Sequence, residues 1–300
     1  MIERKTRAAA HIGTGSPLPL TTNNPLRQGY QVAEAAIRAV IAGRKPMQMV
    51  CSRPGLGKTY LVTRELRRLG IKPSFISPHN EAALAETLYR LRDQAVIVLD
   101  DCDMLVRSER VANIFKQAFG PARVVNYQTK RTLAVDRVRS PLTDALSMMP
   151  SSFGVNARLI WLSNIDFTND TTVSDHMAPH FKAMVSRGLD PIWINSDDEA
   201  DYFQFVLWLV IERNMLRSHG FPAKITVSAL NWFITHRNHL KELSPRTMVR
   251  IADTFKQHPD ERDRDLMLTL MLTKEPLRQI PGIPAMKIVG HKWVRSIGTC

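Results

Sequence analysis

At 300 residues, 44% hydrophobic and 23% charged, the chain has the composition of globular protein, enough for one α/β domain plus a smaller one, and is excluded from the disordered class. Its net charge of +13 and pI near 10.0 favour partners that carry phosphates, nucleic acid ahead of an anionic membrane surface. Cys51, Cys102 and Cys300 show no C-x-x-C spacing, which excludes a disulfide framework or a zinc ribbon and fits a reducing compartment, the cytoplasm. The apolar run Phe203–Ile211 is broken by Gln204 and falls far short of the ~20 residues of a membrane span. The N-terminal stretch is basic and lacks an apolar segment, so residues 1–20 read as a loose arm and not as a secretory signal.

After the arm, Thr21-Thr22-Asn23-Asn24-Pro25 offers a cap and a proline. Val32, Ala35, Ala36, Ile37, Val40 and Ile41 then recur at helical spacing up to Gly43, which predicts a helix laid against a sheet. Lys45-Pro46 opens a strand through Met47, Met49 and Val50. The loop Cys51-Ser52-Arg53-Pro54-Gly55-Leu56-Gly57-Lys58-Thr59-Tyr60 follows, and a helical pattern then runs from Leu61 to Leu69 and stops at Gly70. In this strand-loop-helix setting, Gly55 and Gly57 let backbone N–H groups turn inward around a phosphate chain. Lys58 brings a point charge to the β/γ-phosphates, and the Thr59 hydroxyl is placed to ligate Mg²⁺. Ser52 stands where the full G-x-x-x-x-G-K-[ST] pattern has glycine, so the match is to its second half.

Pro73–Ile76 reads as a short strand, and Glu81–Leu91 as a helix with Ala82, Leu84, Ala85, Leu88 and Leu91 near one face. This alternation is the signature of a parallel sheet with helical crossovers. Val96–Leu99 is a continuous apolar run suited to a strand buried on both faces. It ends in Asp100 and Asp101, at the strand end where ligands collect in open α/β sheets; Asp100 is read as holding the Mg²⁺ shell and Asp101 as polarising an attacking water. Ser108–Phe119 reads as a helix. The segment 122–150 is long for a simple connection and sets Arg123, Lys130, Arg131, Arg137 and Arg139 against Asp136 and Asp144, with a short strand at Val124–Tyr127. It is either a hairpin aimed at a polyanion or a surface loop.

Leu159–Ser163 is a further buried strand. Asn164 at its tip either orients water and the γ-phosphate or begins the turn Asn164-Ile165-Asp166. A helix over Met177–Val185, the triplet Ser186-Arg187-Gly188 and a fifth strand at Pro191–Ile194 complete the α/β part. Helices are then expected over Glu199–Leu216, Val227–His236 and Pro245–Lys256, the last capped by Ser244, with Phe203, Phe205, Trp208 and Trp232 as their core. His176 and His180 are four apart, but Pro179 intervenes and no third ligand is evident, so they are not read as a metal site. The tail after Leu272 reads as irregular and basic, with Lys287, His291, Lys292 and Arg295.

Over Asn23–Lys256 these residues resemble an AAA+ ATPase. Pro54–Thr59 resembles the Walker A motif and Val96–Asp101 the Walker B motif. Asn164 matches the sensor-1 position, Arg187 the arginine finger and Arg246 the sensor-2 arginine, and the phrase Ile97–Asp103 with its spacing to Asn164 looks most similar to the phage and prophage members. The resemblance implies ATP bound by Pro54, Gly55, Leu56, Gly57, Lys58, Thr59 and Tyr60, with Mg²⁺ held through Thr59 and Asp100. It also implies hydrolysis carried by Asp101, Asn164, Arg187 and Arg246, and a homo-oligomer, a hexameric ring or a helical assembly, in the host cytoplasm if phage-encoded. The implied fold is α/β, a P-loop NTPase with a five-stranded parallel sheet over 21–195, an all-α lid over 196–272 and a basic tail over 273–300. DNA is the expected partner; a protein-remodelling chaperone and an ATP-regulated assembly switch are the rival readings. Asp101 stands where the family usually has Glu, one methylene longer. Ser77-Pro78-His79-Asn80 lacks the aromatic-apolar-Gly triplet of the protein-threading members, which argues against an unfoldase.

Overall fold

The computed structural model describes residues 23–103, 108–127, 149–169 and 174–272, and the strands at 286–289 and 292–295. They divide into an α/β unit, Pro25–Asn195, and a second unit that takes Asn23, Asn24 and the described residues from Ser196 onward. The α/β unit is a five-stranded parallel sheet as the sequence predicts: β1 Met47–Ser52, β2 Ser74–Ile76, β3 Val96–Asp100, β6 Arg158–Ser163 and β7 Pro191–Ile194, in the order β2-β3-β6-β1-β7. A separate antiparallel pair, β4 Val124–Asn126 and β5 Ser152–Gly154, frames residues 128–148. Lys130, Arg131, Arg137 and Arg139 lie outside the described residues.

The central strands are buried along nearly their whole length, as the apolar runs require. Successive side chains of a strand point to opposite faces. Met47, Met49 and Cys51 therefore join Ile97, Leu99 and Trp161 on one face, under helices α3 (Glu81–Arg90), α4 (Glu109–Ala118) and α5 (Ala178–Val185). Aromatic rings dominate this layer, with Phe115 centred 5.0 Å from Trp161 and Phe167 5.5 Å from Phe181. Helix α1 (Pro25–Ile41) contacts the sheet at β7, β1 and β6, and α2 (Lys58–Arg68) contacts it at β1. The buried stripe of α1 is Leu26, Tyr30, Ala33, Ile37 and Val40, so the expected stripe is corrected in part: Val32 is 56% exposed and Ala35 faces solvent. Period 3.6 starting from Leu26 places Val32 on the far side, which isolated apolar residues do not reveal.

Between α1 and α2 sit two buried carboxylates, Glu34 and Glu65. Glu65 accepts Arg38 Nε at 2.7 Å and Arg64 NH2 at 3.0 Å; Arg64 also reaches Glu34 at 3.0 Å, and Arg38 bonds Glu34 as well. Burial pushes the Glu65 carboxyl up, but the bonds from Arg38 and Arg64 outweigh it and hold it below its usual 4.5. A depressed folded value means that its stabilisation is complete above the unfolded value and is lost as pH falls through the folded one. Glu65→Gln is therefore expected to cost about 1.5–3 kcal/mol at neutral pH, the range for a hydrogen bond to a charged group, and to flatten the acid limb of the stability curve. Thermal melts between pH 7 and 3 check this; a parallel downward shift at every pH would refute it.

In the second unit α6 (Glu199–Ile211), α7 (Ala223–Thr235), α8 (Pro245–Gln257) and α9 (Glu261–Thr269) pack around Phe203, Phe205, Trp208 and Phe233, whereas the expected Trp232 is only half-buried and stacks on His236. The expected helix 199–216 is interrupted, because Asn214 takes a left-handed φ of 52° before the short turn Met215–Ser218. Helix α9, capped by Asp260, was not anticipated: Glu-Arg-Asp-Arg-Asp masks its few apolar positions. The tail is not wholly irregular, since Met286–Val289 (β8) and Lys292–Arg295 (β9) form an antiparallel hairpin.

Candidate nucleotide-binding site

Strand β1 lies between β6 and β7, so the loop that leaves its C-terminal end is flanked by strand ends on both sides. Gly55 and Gly57 take left-handed φ values of 85° and 84°, and a Cβ on Gly57 would meet nothing within 4 Å. What glycine supplies here is the backbone conformation and not space. The hydrogen-bond ladder of α2 begins where Leu61 N–H donates to Gly57 O at 2.9 Å, so the N–H groups before it, at Lys58 and Thr59, have no acceptor within the helix and form a row of donors at its start. Such a row fits a phosphate chain.

Lys58 is 8% exposed and its Nζ is fully coordinated within the protein: Ser52 O at 2.9 Å, Ser52 Oγ at 3.0 Å and Asn164 Oδ1 at 2.8 Å. Burial pulls its pKa below the lysine range, with Asp100 the largest opposing influence. Thr59 Oγ1 donates to Asp100 Oδ2 at 3.0 Å, so the two oxygens read as Mg²⁺ ligands are adjacent. Burial raises the Asp100 carboxyl against that hydrogen bond. Asn164 Nδ2 donates to Asp101 Oδ1 at 3.0 Å, and Asp101 is exposed with φ 54°. The structure thus brings two hydrogen-bonded groups, Lys58–Asn164–Asp101 and Thr59–Asp100, to the C-terminal edge of the sheet. A hydroxyl-carboxylate pair can give two of the ligands of a hard divalent cation whose shell is completed by phosphate oxygens and water.

No protein-family model matches the chain. An uncharacterised 36.7 kDa protein from the nrdC-mobD intergenic region of Enterobacteria phage T4 is 22% identical over 238 residues, covering 76% of this chain and 69% of that one. Similar solved structures include a Thermotoga maritima RuvB variant, with TM-score 0.44 and 10% identity over 81% of this chain and 68% of that chain. A DNA replication initiation factor gives TM-score 0.38 and 14% identity over 80% and 66%. PCH-2 of C. elegans gives 0.37 and 13% over 84% and 68%.

Two expected residues have surroundings of their own. Arg187 lies in the turn after α5, where NH1 donates to Ala183 O at 2.6 Å, and a Cβ on Gly120 would lie 3.7 Å from its Nε. Among the described residues it meets no carboxylate, and its buried Nε has no acceptor. Arg246 is exposed in the first turn of α8, whose cap Ser244 accepts the Thr247 N–H at 3.2 Å, and it belongs to the second unit. Tyr60 lies in the first turn of α2, 5.9 Å from the Arg64 guanidinium. His176 and His180 approach Glu109 at 3.9 and 3.7 Å, and His180 Nδ1 lies 3.1 Å from Lys116 Nζ.

Two residues that sequence reasoning missed shape the site. Ser52, read as a departure from the glycine of the pattern, holds Lys58 through both its carbonyl and its hydroxyl. Asp103 Oδ2 accepts the Asn164 N–H at 3.1 Å, fixing the tip of β6 beside β3. The aspartate two residues past Asp101 was a visible signal, but nothing in its spacing names Asn164 as its partner. Cys51 and Cys102 are buried with thiols pushed up to about 12 by burial, so neither offers a nucleophile at neutral pH.

Proposed function

We propose that the protein is an AAA+ type ATPase that acts as a homo-oligomer on DNA. The observation that carries the ATPase reading is the gathering of these groups: the helix-start N–H donors of α2, an ammonium, a hydroxyl-carboxylate pair and an amide-carboxylate pair, all at one strand edge. Pro54–Tyr60 would hold the triphosphate, and Thr59 and Asp100 would hold Mg²⁺, which supplies neutralisation of charge on the phosphate oxygens. Asp101 orients the attacking water and Asn164 holds the carboxylate in place. Arg187, free of a carboxylate partner among the described residues, is available to a neighbouring subunit. DNA as the substrate is supported by the net charge of +13. Turnover of ATP by the purified chain, with and without duplex, tests the whole reading.

A specific observation also favours the assembly switch. The Asp101 carboxylate is already engaged by Asn164 at 3.0 Å, and its side chain is one methylene shorter than glutamate, both of which restrain it from reaching water. Asp101→Asn separates the two readings. Asparagine accepts the left-handed φ of 54° as readily as aspartate, so the fold is kept and ATP still binds through Lys58 and Asp100. Loss of the group that polarises water is expected to lower turnover by about 10²–10⁴-fold. Negligible wild-type turnover that this variant leaves unchanged would favour the switch.

A further inference from the structure

The positive charge of this chain is not spread evenly. Ten Lys and Arg fall between Pro25 and Pro73 against two acids, Glu34 and Glu65, while the stretches 74–127 and 149–272 together hold 19 Lys and Arg against 22 Asp and Glu. Both acids of the basic stretch are buried and bonded to Arg38 and Arg64; of the exposed cations beside them, Arg68 lies 3.8 Å from Glu65.

Topology gathers much of this charge at one end. Every strand of a parallel sheet starts at the same edge, so the turn from α1 into β1, the turn from α2 into β2 and the first residue of β6 share the edge opposite the phosphate loop. The first turn carries Arg44, and the second follows Arg67 and Arg68 and carries Lys72; all four are exposed. Arg158 opens β6 with its guanidinium under the α1–β1 turn, where a Cβ on Gly43 would lie 2.6 Å from it. Arg123 is tied to the same edge by donating from Nε to Val155 O at 2.7 Å. Only two acids precede strands here, and both are engaged: Asp190 with Lys45 Nζ at 2.6 Å, and Asp93 with Asn156 Nδ2 at 3.0 Å. The opposite edge holds Asp100, Asp101, Asp103 and Asp166. The α/β unit is therefore polarised, with carboxylates around the nucleotide site and cations at the far edge.

Helix-terminal cations also complement the backbone dipoles of α1 and α2, but one charge within the last turn suffices for that, and Arg44 and Lys72 lie beyond the helices. We propose that this N-terminal edge of the sheet, centred on Arg44, Arg67, Arg68 and Lys72, is a binding surface for the phosphate backbone of nucleic acid. A polyanion is attracted to these exposed cations, at the end of the sheet opposite the triphosphate site. Charge without ordered base-reading side chains gives contact that is independent of sequence. The proposal rests on the nucleic-acid part of the functional reading and not on its ATPase part.

The test is Arg67→Ser with Arg68→Ser and Lys72→Ser in the full chain, titrated against a fluorescent duplex of about 30 base pairs between about 50 and 200 mM salt. Three lost phosphate contacts should lower the slope of log K against log salt by about 2.7, so that the fall in affinity across that range shrinks about forty-fold. ATP affinity should not change, because none of the three contacts the phosphate loop. Replacing the same residues by lysine, with Lys72 kept, should retain the slope, which separates charge from fold. An unchanged slope in the serine variant overturns the proposal, as does loss of the slope only on replacing Lys130, Arg131, Arg137 and Arg139. A parent that binds no duplex at low salt removes the nucleic-acid reading together with this surface while leaving ATP turnover to be judged separately.

Discussion

Lys58→Ala is expected to weaken ATP binding by about two orders of magnitude in a chain that still folds. The ammonium is the charged donor at the mouth of a row of neutral N–H groups, and a hydrogen bond to a charged group contributes about 1.5–3 kcal/mol, or roughly 10- to 150-fold in affinity. No neighbour can replace it. In the structure its three short contacts are to Ser52 and Asn164, uncharged oxygens from which a triphosphate can draw it away. Removing it also leaves the Ser52 carbonyl and the Asn164 amide oxygen without their donor, so a modest loss of stability accompanies the loss of binding. Binding requires the ammonium form, and burial lowers the lysine pKa, so affinity in the parent should decline on the alkaline side at a pH below the ordinary 10.5. Titration with a fluorescent ATP analogue measures both effects. Unchanged affinity in a folded variant would remove the phosphate-loop reading.

Arg187→Ala should abolish hydrolysis while leaving ATP binding and the monomer fold in place, because an arginine finger stabilises transition-state charge and is worth about 10³–10⁵ in rate. On the proposed reading the guanidinium is supplied by a neighbouring subunit. In its own chain the guanidinium contacts Ala183 O and the region of Gly120 and no group of the Lys58–Asn164–Asp101 network. Losing the bond to Ala183 O costs about 1 kcal/mol, too little to unfold the domain. Mixing Arg187→Ala with Asp101→Asn should restore part of the turnover, since some interfaces then combine an intact Asp101 with an intact Arg187. No recovery in the mixture, with both variants folded and binding ATP, would mean that the finger is not supplied in trans.

The elements that were legible in the sequence are those whose pattern is forced by local physics. Val96–Leu99 and Leu159–Ser163 had to be continuous apolar runs because both faces of a central parallel strand are covered, and Ser108 and Ser244 had to be oxygens because helix N-termini need an acceptor. Helix α9 was not legible because its stripe is carried by few apolar residues among alternating charges, and Val32 misled because one exposed valine is indistinguishable from a buried one in a list of apolar positions. The pairing of 286–289 with 292–295 is hidden in the sequence by the prolines before it, which dominate the composition.

The sequence by itself determined the chemistry on offer: a glycine-lysine-threonine loop after a strand, a carboxylate pair at the end of another and an asparagine at the tip of a third, in an order that a doubly covered parallel sheet can assemble. Which of these touch was decided only by the tertiary structure. Lys58 and Asn164 are 106 residues apart and Asn164 and Asp101 are 63 apart, and no spacing rule joins them; the strand order β3-β6-β1 does, by seating β6 between the other two. The same is true of charge. The sequence fixes how many cations there are, but their sorting to the edge opposite the carboxylates follows from the fact that all five strands run the same way, which puts every entering turn at one end and every departing loop at the other.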